Sequence, residues 1–161
     1  MNSANIKIKV LNDKILEWGL PKYATEGSAG LDLCACIDEP VTINPGERIL
    51  INTGAAIHIE DKNLAGFIFA RSGLASKKGI ALSNGVGLID SDYINELKVA
   101  LVNIGLESQV INPGDRIAQL VIMPIVNVCW TQVEDLDVTT RFGGFGSTGV
   151  NSRGETSVRP V

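Results

Sequence analysis

The sequence predicts an all-β domain, a sandwich or barrel of short strands with one short helix and a flexible C-terminal arm. Three observations carry that reading. Short apolar runs recur at intervals of about ten residues with turn signals between them, the pattern of antiparallel sheets. The 17 Gly in 161 residues, against only 5% aromatic residues, argue for many turns and few long helices. Helical character is confined to Ser72–Lys78, with Gly79 placed as a stop, whereas a doubly wound α/β chain needs several longer helices.

The runs begin with Ile6–Leu11, Leu31–Ile37, Arg48–Asn52, Ala55–Ile59 and Leu64–Ala70. They continue through Ile80–Leu82, Val86–Ile89, Leu97–Asn103, Gln109–Ile111 and Ile117–Val126. Two nearly identical segments, Ile43-Asn-Pro-Gly-Glu-Arg-Ile49 and Ile111-Asn-Pro-Gly-Asp-Arg-Ile117, put Pro then Gly at the centre of a tight turn. They read as similar hairpins rather than as a repeat, because nothing else recurs at that period. From about Asp135 the apolar content falls, and residues 141–161 hold five Gly and three Arg. Such a segment cannot bury enough surface to offset its ordering entropy. The expected organisation is therefore a β-barrel over residues 1–136 and a mobile Gly-rich arm over 137–161.

Composition narrows the chemistry. A net charge of −4, with no basic stripe, argues against general nucleic-acid binding and leaves a single nucleotide open. Cys34, Cys36 and Cys129 are an odd set without a signal peptide, which points to free thiols in the cytoplasm. Cys34-Ala-Cys36 has no second pair or His cluster to complete four zinc ligands, so these read as strand residues. His58, the one His, lies in an alternating run, and acid–base chemistry therefore falls to carboxylates. No apolar stretch reaches the roughly 18 residues of a membrane span.

Several segments could carry chemistry. Phe69-Ala-Arg-Ser-Gly-Leu-Ala75 ends a strand and opens the helix, placing Arg71 and Ser72 where N–H groups attract an anion. Ser72 as a plain N-cap is an equally good reading. Asp90, Asp92 and Tyr93 fall at the turn between two apolar strands, where turn-forming Asp is common. Asp32 is odder, since a carboxylate inside an apolar strand is costly unless it is paired or near a metal. Gly144-Phe-Gly-Ser-Thr-Gly149 matches a dinucleotide pattern only formally, with no strand before it or helix after it. Its clustered N–H groups still suit a phosphate, and Phe145 suits stacking on a flat ring.

Five segments in order resemble the motifs of the trimeric dUTPase family. They are Ala29-Gly-Leu-Asp-Leu33, Arg71-Ser-Gly-Leu-Ala75, Gly87-Leu-Ile-Asp-Ser-Asp-Tyr93, Gly114-Asp-Arg-Ile-Ala-Gln-Leu120 and Gly143-Gly-Phe-Gly-Ser-Thr-Gly149, spanning about residues 21 to 150. The resemblance implies a jelly-roll-like, distorted barrel, a homotrimer with shared active sites, and hydrolysis of dUTP to dUMP and pyrophosphate. That activity limits uracil in DNA and supplies dUMP for thymidylate synthesis. It makes Asp90 the general base, Gln119 the amide orienting phosphate or water, and Asp32 a water-mediated holder of Mg2+. Arg71, Ser72 and Gly73 would meet phosphates; Asn84, Gly87, Leu88 and Ile89 would read the base. Tyr93 would lie under the deoxyribose, and Lys98 would join the substrate contacts. From the arm, Phe145 would stack on uracil, and Arg141, Gly146, Ser147 and Thr148 would reach phosphates.

Two departures stand out. The third motif reads Tyr93-Ile-Asn-Glu96 where the family has Gly before Glu, so Asn95 is expected to take a left-handed conformation. The arm, Arg141-Phe-Gly-Gly-Phe145, is one residue shorter than the family pattern, and Phe142 rivals Phe145. A dCTP deaminase of the same superfamily is the alternative enzyme, separable by ammonia release from dCTP. A non-catalytic nucleotide-binding regulator is the alternative of another class, separable by the absence of turnover.

Overall fold

The computed structural model describes residues 3–137 and 140. The chain divides into two units, Met1–Asn127 and Val128–Val161. The described residues of the second unit are exposed and form no helix or strand.

The first unit is all-β, as expected. Its elements are β1 (Lys7–Val10), α1 (Ile15–Trp18), β2 (Lys22–Tyr23), β3 (Leu31–Cys34), β4 (Val41–Ile43), β5 (Arg48–His58) and β6 (Leu64–Ala70). There follow α2 (Ser72–Lys78), β7 (Ile80–Leu82), β8 (Gly87–Ile89), β9 (Glu96–Asn103), β10 (Gln109–Ile111) and β11 (Arg116–Pro124). Three sheets form, ordered β1-β5-β9-β7, β10-β4 and β2-β3-β11-β6-β8. Ile51, Leu97 and Leu101 from the first, Ile43 and Ile111 from the second, and Leu33, Ile68 and Leu120 from the third share one core.

Alternation explains which side chains enter it. Along β9, Leu97, Val99, Leu101 and Asn103 point inward while Lys98 is exposed. Buried Asn103 is tolerated because its amide donates to the Ile43 and Glu107 carbonyls at 2.8 Å, and its Oδ1 accepts from Gly105 N–H.

The sequence pattern needs correcting at several points. Two separate runs, Arg48–Asn52 and Ala55–Ile59, are one strand with a bulge. Gly54 takes φ 74° there, and pairing with β9 slips between Asn52 and Ala56. The elements α1, β2 and β4 are of two to four residues, too short to show a period. The two Asn-Pro-Gly turns form as expected, with Gly46 at φ 79° and Gly114 at φ 80°, but they are not hairpins. β4 and β10 pair with each other, and the turns carry the chain onward into the two larger sheets. Likewise β8 pairs with β6, and β9 with β5 and β7, so Asp90–Asn95 crosses between sheets. Asn95 is not left-handed: among described non-glycine residues only Glu60 has positive φ.

Candidate active site

The odd carboxylate in β3 is paired. Arg71 Nε lies 3.0 Å from Asp32 Oδ1 as an ion pair, and Arg116 donates to Asp32 Oδ2 at 3.0 Å. The side chain of Asp32 is only 16% exposed, so two guanidiniums offset the cost of burying its charge. Arg71 also donates to the Arg116 carbonyl at 3.3 Å, tying the ends of β6 and β11 together.

The Arg-Ile-Ala-Gln segment of β11 has a bulge that explains its spacing. Arg116 and Gln119 are three apart, which in a regular strand puts them on opposite faces. Pairing with β3 shifts between Arg116 and Ala118, and the extra residue restores a common side. Ile117 and Ala118 both enter the core, while Gln119 lies opposite Asp32.

Gln119 donates through Nε2 to the Ala70 carbonyl at 3.1 Å. Gly30 makes room for it, since a Cβ there would lie 2.7 Å from Gln119 Oε1. Asp32, Arg71, Ser72, Gly73 and Gln119 line an open cleft of about 510 Å³, together with Gly30, Lys77 and Lys78. Ser72 is not the N-cap; Arg71 is, with no side-chain cap bond. The first amides of the helix therefore lack intrahelical partners. A Cβ at Gly73 would meet nothing within 4 Å, so packing does not demand glycine there. The cleft's charged lining is one carboxylate against three cations, in a chain of net charge −4. It is built for an anion. Lys77 and Lys78 went unremarked in the sequence because basic residues in a last helical turn have an ordinary use there.

No residue from Asn84 to Tyr93 lines this cleft. Gly87 pairs with Ile68, and a Cβ on it would lie 3.0 Å from Ile68 Cβ, so glycine serves close strand approach. Leu88 is exposed; Ile89 packs on the core and pairs with Gly66. Tyr93 is half-buried, its hydroxyl donating to the Glu96 carbonyl at 2.9 Å and its N–H to the Asp90 carbonyl at 3.2 Å. Asp90 is exposed, and its carboxylate makes no hydrogen bond among the described residues. Gly66 lies near the start of β6, five residues before Arg71, which follows the strand's last residue, about 16 Å at the usual strand rise. One chain thus keeps Asp90 apart from the anion cleft. Lys98 sits on the four-stranded sheet opposite Asn52, also away from the cleft. Arg141, Phe145, Gly146, Ser147 and Thr148 lie outside the described residues.

Cys34 ends β3 and is half-buried, Cys36 is buried but lies just beyond the strand rather than in it, and Cys129 is exposed. Burial pushes the Cys34 and Cys36 thiols above their ordinary range, which disfavours the thiolate a metal would need.

Residues 16–149 match the model of the dUTPase family. A deoxyuridine 5'-triphosphate nucleotidohydrolase of Acinetobacter baylyi is 51% identical over 146 residues, covering 89% of this chain and 97% of that protein. One from Coxiella burnetii is 52% identical over 149 residues, covering 91% and 98%. Among solved structures, a Staphylococcus bacteriophage 80alpha dUTPase mutant with dUpNHpp superposes with TM-score 0.80 at 28% identity, covering 92% of this chain and all of that one. A mutant dUTPase from phage phi11 of S. aureus, which coordinates a structural Mg(II) ion, superposes with TM-score 0.72 at 25% identity, covering 81% and 97%.

Proposed function

The chain belongs to the dUTPase family and is a dUTP diphosphatase, and from that premise we propose how its own residues release dUMP and pyrophosphate. Asp90 takes a proton from a water whose oxygen bonds to the α-phosphorus. The bond from that phosphorus to the bridging oxygen breaks, and pyrophosphate leaves with the electron pair. Arg71, the N–H groups and hydroxyl at Ser72 and Gly73, and Gln119 hold the phosphates in the cationic cleft. Asn84 and the strand residues Gly87, Leu88 and Ile89 read the uracil edge, with Lys98 contributing from β9. Tyr93, fixed by its bond to the Glu96 carbonyl, lies under the deoxyribose where a ribose hydroxyl would clash. The arm, 137–161, closes over the barrel, 1–136. In it Phe145 stacks on the base, and Arg141, Gly146, Ser147 and Thr148 meet phosphates, excluding water.

The observation that carries this reading is the cleft in which Arg71, Ser72, Gly73 and Gln119 converge on one anion-sized hollow. The distance from there to Asp90 supports a homotrimer, in which Asp90 comes from a neighbouring copy. Exposed Leu50, Leu88 and Ile94 supply apolar surface for such contacts.

The donor set fits Mg2+ held through water. One carboxylate, with lone pairs left on its oxygens beside the two arginine contacts, suits an ion that keeps most of its own waters. When bound, the ion would neutralise charge on the phosphate oxygens. Three free thiols support a cytoplasmic location.

Pyrophosphate release measured across dUTP, UTP, dCTP and dTTP tests the reading; only dUTP should turn over efficiently. Asp90→Asn should keep dUpNHpp binding while turnover falls roughly 10²- to 10⁴-fold. Ammonia from dCTP, or full turnover by Asp90→Asn, would refute it.

A further inference from the structure

Arg116 has no place in the scheme above, yet it makes one of the two contacts that fix Asp32. The two arginines approach that carboxylate from different hollows. Arg71 lines the anion cleft, and Arg116 lines a second hollow of about 380 Å³ together with Trp18, Lys22, Tyr23 and Cys34. Asp32 lines both, so it stands in the wall between them. Arg71 is among the residues lining the anion cleft, and Arg116 is not.

We infer that Arg116 is a positioning residue: by holding Asp32 from behind the cleft, it frees Arg71 to pass from that carboxylate to the substrate's phosphates. Each arginine takes one carboxylate oxygen at 3.0 Å. Without Arg116, both oxygens are open to Arg71, and a forked guanidinium–carboxylate pair is the stronger arrangement. Phosphate binding would then have to break a forked, doubly bonded pair instead of the single ion-pair contact Arg71 makes now. With Arg116 in place, Asp32 retains a cationic partner after Arg71 has turned away, so the carboxylate is never left buried and unpaired. The β11 bulge makes this sharing possible, because it brings Arg116 to the Asp32 side along with Gln119.

The Arg116 side chain is 51% exposed, so its replacement leaves the core untouched. The inference rests on the reading of Arg71 as a phosphate ligand, and the test separates the two. Binding of dUpNHpp is measured by calorimetry in EDTA, where Asp32 acts only through its arginines. Arg116→Met should weaken binding about tenfold, the loss expected for one charge-assisted bond. With magnesium, its KM should rise by a similar factor while kcat changes less than about threefold. In an Asp32→Asn background, Arg116→Met should have no further effect on binding, since the shared acceptor is gone. Arg116→Gln carries the same expectations if the Met variant folds poorly. Wild-type affinity in Arg116→Met, or an equal loss in the Asp32→Asn background, overturns the inference. If Arg71→Met weakens binding and Arg116→Met does not, the inference alone fails. If Arg71→Met binds normally, the reading of Arg71 fails with it.

Discussion

At the scale of single residues, the site depends on small side chains as much as on charged ones. Gly30 is the clearest case. Its φ is not positive, so conformation does not require glycine; the close approach of Gln119 does. A methyl group there would push the amide away from the Ala70 carbonyl and out of the cleft. We expect Gly30→Ala to lower kcat/KM roughly ten- to a hundredfold, as a misplaced contact does. The same change should cost about 1–2 kcal/mol in urea unfolding, because the Gln119 stem must also move. Unchanged steady-state kinetics would show that Gln119 is not needed where the structure puts it. Asp32 makes the complementary point. Its charge is tolerable because Arg71 and Arg116 lie beside it, and no spacing rule joins residues so far apart in the chain.

At the scale of elements, α2 and the β11 bulge position the cleft. The helix is stopped by Gly79, left-handed at φ 67°, whose N–H bonds back to the Ala75 carbonyl at 3.1 Å. A Cβ on Gly79 would lie 2.6 Å from the backbone nitrogen of Gly105, which cannot move aside as a side chain could. Gly79→Ala therefore combines left-handed strain with a backbone clash and should cost about 2–4 kcal/mol in a urea titration. Because α2 opens on Arg71, KM for dUTP should rise in the same variant. A loss below about 1 kcal/mol would mean that the helix end relaxes freely. This helix was legible from its residues because Gly79 announces its end. The bulge in β11 was not, since nothing in Arg-Ile-Ala-Gln marks which residue is extra; the pairing with β3 decides that.

At the scale of the whole molecule, the proposal requires more than one chain and more than the barrel. Mixing Arg71→Met with Asp90→Asn chains under conditions that let subunits exchange should restore activity. In a cyclic trimer with random assortment, about a quarter of the sites would then pair an intact Arg71 with an intact Asp90. Two inactive variants that stay inactive when mixed would place both residues of a working site in one chain. Removing residues 141–161 leaves every described core residue in place. The truncated protein should keep its melting temperature to within about 3 °C and lose nearly all pyrophosphate release. Normal kinetics in that truncation would deny the arm its closing role.

The amino-acid sequence by itself determined the fold class, most strand positions, the single longer helix and its stop, and the two Pro-Gly turns. These are local matters, settled by side-chain period and by the backbone preferences of Gly and Pro over a few residues. It also placed the chain beside one enzyme family through five ordered motifs. What only the tertiary structure decided is who meets whom. The Asn-Pro-Gly turns proved to be corners between sheets, because each strand's pairing partner lies far away in sequence. Asp32 gained its two arginines, Gln119 its place opposite Asp32, and Lys77 and Lys78 their place at the cleft. Asp90 and Arg71, members of neighbouring motifs, came out beyond opposite ends of the antiparallel β6–β8 pair, because strand register rather than motif order sets distance.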